Sequence, residues 1–97
     1  MVDFRATMAG KTVVTYSIAN FPTLRCLEQI RNDVCYHQLN VKVVAIGGGL
    51  AYGSLGYTHH AVEDLAIMRS LPGMAVAAPG DRRIGRMQHR FACLSQP

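Results

Sequence analysis

Tyr57-Thr-His-His-Ala-Val-Glu-Asp-Leu-Ala-Ile-Met-Arg-Ser-Leu-Pro-Gly-Met74 follows directly on a glycine-laden loop, Gly47-Gly-Gly-Leu-Ala-Tyr-Gly-Ser-Leu-Gly56. Thr58 is a good N-cap residue, and Glu63 and Asp64 suit the positive end of a helix. The spacing predicts a helix from Thr58 to about Ser70 that buries Val62, Leu65 and Met68 in some combination. Leu71-Pro72-Gly73 stops it. Before the loop, Val41-Lys-Val-Val-Ala-Ile46 is short and nearly continuously apolar, as a parallel strand buried on both faces should be. After the helix, Met74-Ala-Val-Ala-Ala78 reads as a further strand, and Pro79-Gly80-Asp81 as a turn.

Working further back, Gly10-Lys11 precedes Thr12-Val-Val-Thr-Tyr-Ser-Ile18, a β-branched and aromatic run that reads as a strand. Pro22 then opens a helix at about Thr23, with Leu24, Leu27, Ile30 or Arg31, and Val34 at helical spacing and an end near Tyr36. The order β-α-β-loop-α-β implies right-handed crossovers and a partial parallel sheet, an α/β fold. Three strands and two helices make a thin core, because a parallel sheet needs both faces covered. Periodicity fades after Asp81, so residues 1–81 are expected to form one incomplete domain and 82–97 an irregular tail. The chain therefore reads as a piece of a larger fold.

The 97 residues allow one small domain at most, and 49% apolar with 16% charged residues is a globular composition. No apolar run approaches the roughly 18 residues a membrane-crossing helix needs, and Met1-Val-Asp-Phe-Arg5 has no secretory signal pattern. Three cysteines, Cys26, Cys35 and Cys93, form no CxxC pair, which points to reduced thiols and a cytoplasmic setting. Residues 1–81 balance six basic against six acidic side chains, so the net charge of +4 resides in Arg82, Arg83, Arg86 and Arg90 of the tail. Four arginines beside one aromatic residue, Phe91, form no nucleic-acid reader motif, and neither nucleic acid nor membrane is an expected partner.

The glycine loop fails both common phosphate-binding patterns. The dinucleotide fingerprint that begins at Gly47 and Gly49 meets Tyr52 where a glycine is required, and the P-loop spacing from Gly48 to Gly53 meets Ser54 where a lysine belongs. His59 and His60 are adjacent rather than four residues apart, with no third ligand at a useful distance in sequence, so no metal site is expected. A histidine at a helix N-terminus is more often a packing or capping residue than a catalyst. Tyr16 and Phe21, flanking the end of the first strand, are by spacing alone either core aromatics or a ring-binding surface. Arg25 on the following helix suits a salt bridge or an anionic ligand equally.

Taken together, the loop and the helix resemble transketolase-type, thiamine-diphosphate-dependent enzymes, in the second half of the domain that holds the cofactor's pyrimidine ring. Those enzymes carry Gly-x-x-Gly-Pro-Thr-His followed by a helix rich in Glu, Leu, Ala and Arg that ends near Leu-Pro. Gly53, Gly56, Thr58 and His59 keep that frame, and Glu63, Leu65, Ala66, Arg69, Leu71 and Pro72 follow it. The resemblance covers roughly residues 9–81. It implies that His59 is catalytic, facing the reacting carbon to hold a substrate oxygen and transfer protons, and that His60 is structural. It implies that Tyr16 and Phe21 bind the cofactor by stacking on the aminopyrimidine.

The departures are as informative. Sugar-phosphate transketolases place a histidine at the position of Gly47, an acid at that of Leu55 and a proline at that of Tyr57. Substrates other than the usual transketolase pair are therefore expected. The family's glutamate that hydrogen-bonds the aminopyrimidine lies upstream of the first strand, where Met1 to Gly10 offer only Asp3. The diphosphate and its Mg²⁺ belong to a separate domain, on the same chain or a partner's. The resemblance thus implies a fragment or subunit of a transferase that moves or cleaves a ketol or α-keto unit. It would be inactive alone and would work in an oligomer with a diphosphate-binding partner. The alternatives are a truncated non-catalytic remnant or a module that docks to a full-length partner, and a small nucleotide-binding α/β module is disfavoured by the broken glycine patterns.

Overall fold

A computed structural model describes residues 4–80. The architecture is α/β, a small parallel sheet with helices, and the element order is α1 (Phe4–Met8), β1 (Val13–Ile18), α2 (Leu27–Gln29), β2 (Val41–Ile46) and α3 (Asp64–Arg69). A π-helical stretch, Ile30–Cys35, continues α2, and two 3₁₀ turns, Gly53–Leu55 and Tyr57–His59, precede α3. Helix α1 closes on Gly10 at φ +78°, with Lys11 N–H donating to the Ala6 carbonyl and Gly10 N–H to that of Thr7. That pair of bonds is the glycine-terminated helix ending that a residue with a Cβ adopts only under strain.

β1 and β2 pair in parallel, with Val13 opposite Val41, Tyr16 opposite Val44 and Ile18 opposite Ile46. Val41 is fully buried, and Val43 packs on a core built from Ile30, Met68 and Leu71. Side chains alternate across a strand, so the even-numbered residues take the other face. There Val14, Tyr16, Val44 and Ile46 are all exposed. This corrects the expectation of a β2 buried on both sides: the helices cover one face, and nothing among the described residues covers the other.

Two further expectations are corrected. Met74 to Ala78 forms no strand; the segment has no ladder partner among the described residues, and Met74 and Val76 instead turn inward onto the Ile30–Met68–Leu71 core. The helix expected from Thr58 begins only at Asp64, because His60 is extended (φ −75°, ψ 131°) and Ala61 is paired elsewhere. Its acidic start and its end at Ser70 stand, with Gly73 at φ +71° closing the exit. The helix expected from Thr23 likewise starts late, at Leu27. Residues 19–26 form consecutive turns, with Thr23 and Leu24 N–H groups both donating to the Asn20 carbonyl.

Beyond Gln29 the helix relaxes to i→i+5 bonding, shown by Tyr36 N–H donating to the Arg31 carbonyl and Leu39 N–H to that of Val34. Cys26 and Cys35 are unbridged, and burial pushes the Cys35 thiol up. Cys93 and the basic segment after Asp81 lie outside the described residues.

Ile30, 2% exposed, joins this helix to α3 and to the chain beyond it. Ile30→Ala should cost about 2–5 kcal/mol by lost burial and the cavity left behind. Tyr36→Ala, at an 80% exposed position, should change stability by no more than about 0.5 kcal/mol. Urea denaturation of both variants measures the difference, and equal midpoints would remove Ile30 from the core.

Candidate functional site at the carboxyl edge of the sheet

The carboxyl ends of β1 and β2 lie side by side, tied by Ala19 N–H donating to the Ile46 carbonyl at 2.7 Å. Parallel sheets bind ligands outside this edge, where the strand-to-helix loops converge. Ala19 leaves β1 at φ +50°, a left-handed conformation for a residue with a Cβ, and it is almost wholly buried. The surrounding packing holds it there and turns Asn20 and Phe21 across the sheet edge.

The loop after β2 returns to the same edge. Gly49 and Ala61 exchange two backbone hydrogen bonds of 2.9 Å, closing the segment between them into a compact lobe. Gly56, at φ +85° and ψ −177°, lies in a region open essentially to glycine alone and separates the two 3₁₀ turns. The second turn then presents Thr58, His59 and His60. Asn20 reaches across 40 residues to this turn, its side-chain amide donating to the His60 carbonyl at 3.0 Å. The two loops are thereby fixed to one another.

The Phe21 and His59 rings meet in an edge-on arrangement, centroids 5.0 Å apart and planes at 66°. The Arg25 guanidinium lies 4.5 Å from the centre of the Phe21 ring, a cation–π contact. Thr58 Oγ1 and His59 Nδ1 are 3.0 Å apart, which orients the imidazole from that nitrogen. His60 turns the other way, with Nε2 3.4 Å from the Gly53 carbonyl and its ring 6.5 Å from that of Tyr57.

A recess of about 430 Å³ opens here, lined by Asn20, Phe21, Leu24, Arg25, Tyr57, Thr58, His60 and Glu63. Of the residues singled out in the sequence, Phe21 lines this recess and His59 packs against Phe21. Tyr16 does neither: it stands in mid-strand on the open face of β1, 67% exposed. The sequence does not mark Asn20 and His60 as parts of the site. Asn20 belongs to no motif, while His60 is legible only as the neighbour of His59.

The family model for the transketolase pyrimidine-binding domain matches residues 4–93. The chain belongs to this family. It is 45% identical over 75 residues to an apulose-4-phosphate transketolase subunit of Phocaeicola vulgatus, covering 77% of this chain and 24% of that one. It is 45% identical over 83 residues to a putative transketolase C-terminal section of Methanocaldococcus jannaschii, covering 84% and 26%. Against 1-deoxy-D-xylulose-5-phosphate synthase 1 of Geobacter sulfurreducens it is 46% identical over 82 residues, covering 82% and 13%. The chain thus spans about a quarter or less of the length of these curated relatives. No solved structure matches it.

Transketolases and deoxyxylulose-phosphate synthases depend on thiamine diphosphate. The described residues fit the ring end of that group. Phe21 offers a π-face that already carries a planar cation, the Arg25 guanidinium, and a flat heteroaromatic ring needs the same kind of surface. At the charged end, no group of three His, Cys, Asp or Glu side chains able to hold a metal ion occurs among the described residues.

Asn20→Ala should remove the bond that fixes the two loops, costing about 0.5–1.5 kcal/mol. Hydrogen exchange at the amides of His59, His60 and Ala61 should rise with it, while that of β2 stays slow. Unchanged exchange in the turn would show that the Gly49–Ala61 pairing holds it without Asn20.

Proposed function

We propose that this chain supplies the pyrimidine-binding side of a thiamine-diphosphate-dependent active site that transfers or cleaves a two-carbon ketol or α-keto unit. The observation that carries this reading is the Phe21–His59 pair at the carboxyl edge of the sheet, in a chain of the transketolase pyrimidine-binding family. Phe21 stacks on the aminopyrimidine. Tyr16 belongs to the same proposal with less support, since its ring lies outside the recess. When bound, the cofactor supplies the electron sink for making and breaking a carbon–carbon bond beside a carbonyl.

His59 is the proposed catalytic residue. Thr58 engages Nδ1, so Nε2 is the atom to hold a substrate oxygen or move a proton. Two relatives are named as one subunit of a transketolase and as a transketolase C-terminal section. Those names support a partner domain or subunit that binds the diphosphate and Mg²⁺, in an oligomeric assembly. The names of two relatives each contain a sugar phosphate, and a related hydroxylated carbonyl compound is the substrate class proposed here. The unbridged Cys26 and Cys35 support a cytoplasmic setting, and no helix among the described residues is long and apolar enough to cross a membrane. Residues 1–81 are proposed as the partial pyrimidine-binding unit. The basic 82–97 is kept separate on grounds of charge, although the family match continues to residue 93. The open face bearing Val14, Tyr16, Val44 and Ile46 favours a second reading, a non-catalytic piece that docks to a full-length member of the family.

In the reconstituted assembly, His59→Ala should lower turnover by about 10²–10⁴-fold with little loss of folded protein. His60→Ala should do less. Steady-state kinetics of the two variants separate the roles, and full activity in His59→Ala would refute the assignment.

The chain alone should bind thiamine diphosphate only weakly, because the charged contacts that contribute most affinity come from the partner. Calorimetry with Mg²⁺ present measures this. A micromolar dissociation constant would mean that this chain builds a diphosphate site of its own.

A further inference from the structure

Two interactions among the described residues orient the His59 imidazole. One is with Thr58 Oγ1, which belongs to the same 3₁₀ turn and moves with it. The other is with the Phe21 ring, which belongs to the loop after β1. An edge-on ring contact has no donor and acceptor to fix a distance, so it survives a slide or a tilt. The turn's own backbone bonds do not reach that loop either. His59 N–H donates to the Gly56 carbonyl at 3.0 Å and His60 N–H to that of Tyr57 at 3.1 Å, while the Gly49–Ala61 pairing closes the lobe on itself.

The Asn20 amide supplies the directional tie. It donates to the carbonyl of His60, one residue beyond His59, at 3.0 Å, and a bond of that length tolerates little displacement. Asn20 is itself braced. Its carbonyl accepts from the Thr23 N–H at 3.2 Å, the Leu24 N–H at 2.9 Å and the Thr23 hydroxyl at 3.1 Å. Thr23 is buried, as is Ala19 on the other side, which donates to Ile46 at the end of β2. Phe21 has separate support: its N–H donates to the Ile18 carbonyl at 3.2 Å, and its own carbonyl accepts from Cys26 Sγ at 3.6 Å. Loss of the Asn20 amide therefore leaves Phe21 in place and releases the turn that carries His59.

We propose that Asn20 is a positioning residue for His59: by holding the His60 carbonyl, it sets where His59 Nε2 stands relative to a ligand stacked on Phe21. The inference rests on the proposed function and deepens it, since it assigns the alignment of the histidine to a side chain from the other strand's loop. A displacement of about 1 Å in a reacting group costs up to about 10²-fold in rate. Cofactor affinity, drawn from Phe21 and the partner's charged contacts, does not depend on that alignment.

The test uses the chain assembled with its diphosphate-binding partner, with turnover read as decarboxylation of hydroxypyruvate or pyruvate and cofactor affinity read by titration with thiamine diphosphate. Asn20→Ala should lower kcat by about 10–100-fold and leave the cofactor dissociation constant within about twofold. Asn20→Asp fills the same space, but an ionised carboxylate accepts hydrogen bonds and donates none, so it should be as impaired at neutral pH. In a His59→Ala background Asn20→Ala should lower kcat no further, because a residue that acts through another has nothing left to align. Full activity of Asn20→Asp, an undiminished Asn20→Ala effect without His59, or a loss confined to cofactor affinity would each overturn the role of Asn20 while leaving the proposed function standing. Absence of turnover of either donor by the unmodified assembly would instead bring down the proposed function, and this inference with it.

Discussion

The paired backbone hydrogen bonds between Gly49 and Ala61 are the constraint on which the site depends. They withdraw Ala61 from helical bonding and so hold back the start of α3. The chain between them must then complete its turns in a small space, through two 3₁₀ segments separated by a glycine at positive φ. Without that closure, Thr58 and His59 would enter a helix, and His59 would not be brought against Phe21 in this way. The Asn20–His60 bond is a second clasp. It connects the loop after β2 to the loop after β1, so the catalytic candidate and the ring-stacking candidate share one frame. Holding such groups on rigid, mutually braced elements is what oriented chemistry requires.

Packing in the rest of the molecule is one-sided. Ile30, Met68 and Leu71 form the core on one face of the sheet, with Val43, Met74 and Val76 against it. The other face carries Val14, Tyr16, Val44 and Ile46 to the surface. A parallel two-stranded sheet normally hides both faces. The described residues therefore leave one sheet face open, in a chain that covers about a quarter or less of the length of its relatives.

The strands are easy to read in the sequence, because short apolar and β-branched runs bounded by glycine and polar residues have few other uses. Val41–Ile46 reads with the bounds that the structure shows, and Val13–Ile18 to within one residue. The family is legible as well, since Gly53, Gly56, Thr58 and His59 form a spaced pattern. Helix starts are not legible. Thr58 is a good cap by type, but a long-range backbone pairing decides whether its neighbours become helical, and residue type carries no trace of it. Met74–Ala78 has strand composition, yet a strand needs a neighbour with free backbone groups, and this one meets the core instead. At the site, the closeness of Phe21 and His59 follows from the resemblance and not from spacing. The side-chain link from Asn20 to a backbone carbonyl 40 residues away has no signal in the sequence at all.

The π-helical stretch Ile30–Cys35 bears on how lengths compare within the family. Its i→i+5 bonds accommodate an additional residue per turn without displacing the helix ends. Deleting one residue there would restore ordinary α-helical winding, leaving β2 and Leu27 nearly where they are. The residues on either side would keep their faces, because the wider turn takes up the extra residue locally. A one-residue gap in an alignment at this point thus marks a change confined to this turn, while both sheet strands keep their register.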